Sequence, residues 1–118
     1  MREFTKSVLS YTWATSVFGV QQRFEHFDVL VSPTVSAPPL PVDMDVSGEI
    51  EIAGQSAGTV RRAWYPYTYP MNLTGHPALS MPCGRSKLGL PIGLQLAGRW
   101  YDDLRLLGIA ALIEPLMA

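Results

Sequence analysis

The sequence is short of the residues that most local chemistry needs. Its 118 residues include one cysteine, Cys83, and two histidines, His26 and His76. One cysteine excludes an intrachain disulfide and makes a reducing, cytoplasmic compartment the expectation. Neither histidine stands in a ligand-spaced cluster with Cys83 or with carboxylates. A zinc site needs three or four convergent ligands, so no metal is expected. No cofactor is expected either. The glycine-bearing run Gly89-Leu-Pro-Ile-Gly93 is interrupted by proline and lacks the Lys-Ser/Thr that completes a phosphate loop. Charge is sparse, at 16% of residues and a net −1, so nucleic acid is not an expected partner. No apolar run approaches the roughly 20 residues that cross a bilayer. Residues 1–10 lack the uninterrupted apolar core of a signal peptide. The expectation is a soluble intracellular chain with no membrane partner.

Apolar residues are plentiful, at 47%, with 3 Trp, 5 Tyr and 4 Phe. The charged fraction lies below the typical value of about 25%, although a small free-standing domain has much surface to keep wet. Part of this surface is therefore expected to be covered by a partner, a twin copy or a missing part of the same polypeptide.

The chain is organised around residues 67–98, where short apolar runs are fenced by Gly and Pro. Residues 78–82 and 92–97 read as strands buried inside a mixed or parallel sheet. Before them, Phe4, Val8, Tyr11 and Phe18 recur at helical spacing and predict a helix over 3–26. Residues 28–33 predict a strand, and its consecutive Val29, Leu30 and Val31 imply burial on both faces. Residues 35–63 carry Pro38, Pro39 and Pro41 and read as an irregular loop, within which Glu49–Ile52 alternates like a short edge strand. A basic-aromatic cluster follows, from Arg61 and Arg62 through Trp64 and Tyr65 to Tyr67 and Tyr69. A short helix near Tyr67–Leu73 would be stopped by Gly75. A final helix over 103–114 would be capped by Asp102 or Asp103 and stopped by Pro115.

No complete active site is legible. Cys83 and His76 could form a thiol–base pair, but nothing supplies the orienting third group; a small buried apolar residue is the plainer account of Cys83. No G-x-S-x-G elbow is present. Ser86 and Lys87 are adjacent, so on an extended chain they point apart. Asp43, Asp45, Glu49 and Glu51 read as a solvated face, not as a rigidly placed glycosidase pair. His76, between Gly75 and Pro77, reads as structural, and His26 as a charge at a helix C-terminus.

Three motifs in order resemble the C-terminal end of amidase signature enzymes. They are Asp28-Val-Leu-Val-Ser-Pro-Thr34, the run Asn72-Leu-Thr-Gly-His-Pro-Ala-Leu-Ser-Met-Pro-Cys-Gly84, and Gly89-Leu-Pro-Ile-Gly-Leu-Gln-Leu-Ala-Gly-Arg99 followed by Asp102-Asp103-Leu-Arg-Leu-Leu107. Residues 35–63 fall where the family varies. The resemblance implies an α/β fold, the C-terminal part of the amidase signature fold, with mixed sheet strands flanked by helices. It implies hydrolysis of carbon–nitrogen amide bonds, or transfer of the released ammonia as in the glutamyl-tRNA amidotransferase branch. The family works through a serine nucleophile, a second serine in a cis peptide, a lysine and a Gly-Ser-rich oxyanion loop. No position here matches those groups, which lie N-terminal to the matched region. The resemblance therefore implies no catalytic residue in this chain, and no activity for it alone. It does imply a substrate-pocket wall of Tyr69, Met71, Asn72 and Thr34. Core packing is the rival account for each of these, and turn bonding for Asn72. The implied partners are the missing N-terminal catalytic part of the same protein and, only in the full-length enzyme, a small-molecule amide. A non-catalytic module that binds a partner or forms a homodimer is the alternative.

Overall fold

The structure, a computed structural model, describes residues 17–117. The punctuated stretch at its centre folds as a hairpin. Strands β4 (Ala78–Arg85) and β5 (Pro91–Ala97) pair antiparallel, with Ala78 opposite Ala97 and Met81 opposite Leu94. Ser86 shapes the connection. Its N–H donates to the Leu90 carbonyl at 2.8 Å, and its hydroxyl accepts from the Leu88 and Leu90 amides. Gly89 takes φ 78° there, which a side chain would resist. So short a link permits only antiparallel pairing.

β1 (Leu30–Pro33) pairs antiparallel along the other edge of β5, giving the order β1-β5-β4. Pro33 and Pro82 lie on the outer strands, where a missing N–H can face away from the ladder. Central β5 is the most covered, with Gln95, Leu96 and Ala97 all buried. The expected mixed sheet is, among the described residues, antiparallel throughout. The expected strand 28–33 begins only at Leu30, and Val31 is 58% exposed. Its consecutive apolar residues imply burial on both faces, but β1 is an edge strand with one face uncovered. β4 runs past the expected end at Pro82 through a register shift between Pro82 and Arg85.

The expected loop 35–63 contains more structure than its prolines suggest. β2 (Glu49–Ile52) and β3 (Gln55–Thr59) form a second antiparallel pair, followed by the short helix α2 (Val60–Ala63). Ala53 and Gly54 turn the pair with φ 54° and 78°, the left-handed angles that suit a tight hairpin. Gln-Ser-Ala-Gly-Thr carries no apolar alternation, so only its partner strand reveals β3.

Of the helix expected over 3–26, residues 17–23 are helical (α1) and 24–26 form a turn; 3–16 lie outside the described residues. α3 (Thr68–Thr74) ends as expected at Gly75, which adopts φ 71° and donates its N–H to the Met71 carbonyl. α4 (Asp103–Ile113) gives way to a 3-10 turn at Glu114–Leu116, one residue before the expected end. Asp102 stands at its N-cap without a side-chain cap bond; its carboxylate lies 3.9 Å from Arg105 instead.

Cross-strand partners in an antiparallel sheet share a face, and neighbours along a strand alternate. Met81, Leu96 and Leu106 of α4 therefore make the core, with Leu79, Leu94 and Ala110 packed against it. Ser32, Gln95 and Ser80, in register across all three strands, face the other way. One side of the sheet is greasy and lies under α4. The opposite side is polar.

Candidate functional site

The polar side of the sheet is where the chain's chemistry collects. At the end of β1 the Thr34 hydroxyl lies 2.5 Å from the Ser80 hydroxyl. One of the two donates to the other, which leaves the second proton free for a further acceptor. Gly93 lies beneath the pair, so close that a Cβ there would meet Thr34 Oγ1 at 2.7 Å and Ser80 Oγ at 2.9 Å. Gln95, next on the same face, is buried, and its amide donates to Ser32 Oγ at 3.2 Å and to the Tyr67 carbonyl at 2.9 Å. The second of those bonds anchors α3 over the sheet. A buried amide with both donors used is an inexpensive way to fix a helix.

Between α3 and this face lies a cleft of about 290 Å³. Thr34, Met71 and Asn72 line it together, with Thr68, Ser80 and Gln95. Three of the four residues singled out in the sequence as pocket wall are thus brought together by the fold. Tyr69 is not among the residues lining this cleft; it is 45% exposed on α3. Asn72 is exposed, and its side chain makes no hydrogen bond to another described residue, so it is neither cap nor turn bond there. Ser80, Gln95 and Thr68 are additions to the sequence reading. The alternation in Ile-Gly-Leu-Gln-Leu-Ala, with Gly93 and Gln95 opposite Leu94 and Leu96, is the signal for Gln95.

His76 borders the cleft but is held as structure. It is 5% exposed and stacks between Phe24 and Trp100 at centroid distances of 5.4 and 4.8 Å. A neutral ring satisfies both neighbours, with Nε2–H donating to Gln21 Oε1 at 3.0 Å and Nδ1 accepting from the Thr74 hydroxyl at 2.8 Å. With both nitrogens engaged, His76 has none left for Cys83, and among the described residues that thiol–base pair is not assembled. Neither the Thr34 nor the Ser80 hydroxyl bonds a lysine or histidine among the described residues. Among those residues, no group of three His, Cys, Asp or Glu could hold a metal ion.

Burial pushes the His76 pKa below its ordinary value of 6.5. The unfolded chain then takes up a proton near that value while the folded chain does not. Stability should be full above pH 7 and fall as the pH drops through 6.5, levelling only below the folded pKa. Thermal melts between pH 7.5 and 5 check this, and His76→Gln should flatten that part of the profile. An equally steep fall in the variant would show that His76 is not the group responsible.

A family model described as amidase matches residues 15–107. The chain belongs to the amidase signature family. It is 38% identical over 93 residues to the A-type subunit of the glutamyl-tRNA(Gln) amidotransferase of Myxococcus xanthus, a match that covers 79% of this chain and 17% of that protein. It is 41% identical over 95 residues to a fatty acid amide hydrolase of Arabidopsis thaliana, covering 79% and 15% respectively. Among solved structures it resembles a bacterial aryl acylamidase of the family, with TM-score 0.71, 28% identity, and coverage of 85% of this chain and 20% of that one. It also resembles a 6-aminohexanoate cyclic dimer hydrolase, with TM-score 0.69 and 27% identity over 89% of this chain and 23% of that one. The chain thus spans about a sixth of the curated relatives' length. The α/β arrangement of helices on antiparallel strands in this chain matches part of these amidase structures. Among the described residues no helix is long and apolar enough to cross a membrane.

Proposed function

We propose that this chain forms the substrate-side wall of an amidohydrolase that cleaves carbon–nitrogen amide bonds. The serine nucleophile, its relay partners and the oxyanion donors come from a further part of the polypeptide, and this chain alone is inactive. The observation that carries the reading is the cleft itself. It sets Met71 and Asn72 of α3 against Thr34 and Ser80 of the polar sheet face, yet among the described residues neither of those two hydroxyls is paired with a base. Such a wall binds and orients. The free hydroxyl proton of the Thr34–Ser80 pair and the unengaged Asn72 amide can hold a carbonyl or amide group in place, and positioning alone is a large part of acyl-transfer catalysis. Tyr69, on the outer side of α3, would meet substrate only through a neighbouring segment. A reducing, cytoplasmic setting suits the single cysteine.

The test is reconstitution. The chain alone should give no turnover of simple anilides. Joined to an amidase signature N-terminal part carrying the serines and lysine, it should restore serine-dependent hydrolysis. Serine-dependent turnover by the chain alone would overturn the reading. Hydrolysis of glutamine coupled to amidation of glutamyl-tRNA would place it in the amidotransferase branch instead.

One observation favours a second reading. α4 is apolar nearly all round, and Leu104, Leu112 and Leu116 are 85%, 78% and 78% exposed on its outer side and the turn beyond. A helix of that character is normally buried. The covering surface is the catalytic part in the first reading, and a second copy or another protein in the alternative. Light scattering across concentrations separates them, since a compact monomer throughout excludes the homodimer.

A further inference from the structure

The C-terminal end of α1 meets the rest of the fold around one side chain, His76. The ring stands between Phe24, in the turn that ends α1, and Trp100, beyond β5. Its Nε2 holds Gln21 of α1, and its Nδ1 holds Thr74 at the end of α3. Trp100 is fixed in turn, because its indole N–H donates to the Thr74 carbonyl at 2.9 Å. Arg99 adds one bond to α1, donating to the Phe24 carbonyl at 2.7 Å. Segments far apart in sequence are thus pinned through one imidazole. That imidazole also lines two hollows. One is the polar cleft; the other is an open hollow of about 410 Å³, with Tyr101 and Asp103 on its rim. Met71 and Asn72 border both, so with His76 they form the partition between them.

The packing suits a neutral ring. A proton added at Nδ1 turns the acceptor of the Thr74 hydroxyl bond into a donor. Thr74 is 5% exposed, so its hydroxyl has to turn round inside the fold and give up the bond it donates. The added charge also lies between two hydrocarbon faces, and burial of this kind lowers the ring's pKa from its ordinary 6.5. Asp103 shares the open hollow with the ring, and Arg99 lies on the α1 side, with Asp28 3.9 Å beyond it. On α1 and its turn, Arg23, Glu25 and His26 are exposed, and α3 and residues 78–82 carry no charge. The ring's own hydrogen-bond partners, Gln21 and Thr74, are both neutral.

We propose that the Phe24–His76–Trp100 stack is a proton-operated clasp, which releases α1 from the sheet body in weak acid and opens the partition beside the polar cleft. Once released, His76 is hydrated and gains its proton near pH 6.5, so opening is favoured as the pH falls through that value. The response grows by up to about tenfold per pH unit below 6.5, until the ring of the closed form protonates as well. The sheet takes no part, since its core of Met81, Leu96 and Leu106 lies on the other face. None of this depends on the amidase reading.

Native-state amide hydrogen exchange on the 118-residue chain, at pH 7 and 5.5, is the test. A helix end stripped of its packing is marginal in water, so the amides of residues 21–24 report the opening. Corrected for intrinsic rates, their opening constant should rise about three- to eightfold between the two pH values. It should respond to low urea far less than that of Gln95 and Leu96, because a local opening exposes little surface. His76→Phe keeps a flat ring in the stack and should abolish the pH response. Gln21→Glu sets a carboxylate at Nε2 and should weaken it, since an opposite charge favours the protonated ring. His26→Gln should leave it unchanged. Equal opening constants and equal urea dependence at α1 and β5 overturn the proposal, because the chain then opens only as a whole. So does a pH response that survives His76→Phe, one that Gln21→Glu leaves untouched, or one that His26→Gln removes.

Discussion

Leu96→Ala is expected to destabilise the chain by about 3–5 kcal/mol, the range for emptying a well-packed leucine site. Leu96 is 0% exposed in the central strand, and its contacts run to Met81 on β4 and Leu106 on α4. Neither neighbour can follow a shrinking side chain, because β5 is held by ladders on both sides and α4 lies across it. A cavity therefore remains, and the loss is a large fraction of the 5–15 kcal/mol that typically holds a domain together. Urea titration with an unchanged slope would show it as a lowered midpoint. Leu104→Ala is the companion measurement. Leu104 is 85% exposed on the same helix, so its removal should shift stability by no more than about 0.5 kcal/mol in this chain. A cost below about 1 kcal/mol for Leu96→Ala, well under the usual range, would mean that the greasy face of the sheet is not packed as described.

Gly93→Ala should cost about 1–3 kcal/mol through overpacking, although alanine is ordinarily the mildest of substitutions. Here the added carbon would come within 2.7 Å of Thr34 Oγ1, 2.9 Å of Ser80 Oγ and 3.0 Å of Thr34 Cβ. All three belong to short side chains, Ser80 on β4 and Thr34 just beyond β1, so little can swing away. The reason for glycine at this position is room, since its φ is not left-handed. Thr34→Ala in the same background removes the tightest obstacle. The double variant should then recover part of the loss, with a coupling of about 0.5–2 kcal/mol in a thermodynamic cycle. Strictly additive costs would show that the hydroxyl pair does not press on Gly93. The same substitution should also disturb the polar cleft, because Gly93 lies against Thr34 and Ser80, which line it.

Residues 78–97 are legible from composition and punctuation alone. Short apolar runs separated by Gly and Pro can be little other than strands joined by turns, and Gly75 announces the end of α3 without any coordinate. The family motifs are legible for a related reason. The clusters at Pro33-Thr34, at Asn72 to Gly75 and at Gly89 to Gly93 each hold a backbone constraint that few residue types meet. Other features escape. The direction of strand pairing is invisible in β1, whose apolar run reads equally well in a parallel sheet. β3 has no apolar pattern and exists because β2 lies beside it. The segment of Pro38 and Pro39, plain loop in the sequence, is bound to the end of α2 through Ser36 and Trp64.

By itself the sequence determined the strand pair within 78–97, the stop of α3 at Gly75 and the family, because these depend on neighbours along the chain and on backbone angles that particular residues favour or forbid. Only the tertiary structure decided that Thr34 meets Ser80 over Gly93 while Tyr69 lies outside the cleft, and that His76 is sandwiched with both ring nitrogens bonded, leaving neither for Cys83. It also decided that α4 keeps one apolar side uncovered. The physical reason is that strand register and the choice of sheet face are collective. Residues 46 positions apart, such as Thr34 and Ser80, come within a hydrogen bond only when every pair between the strands has taken its place.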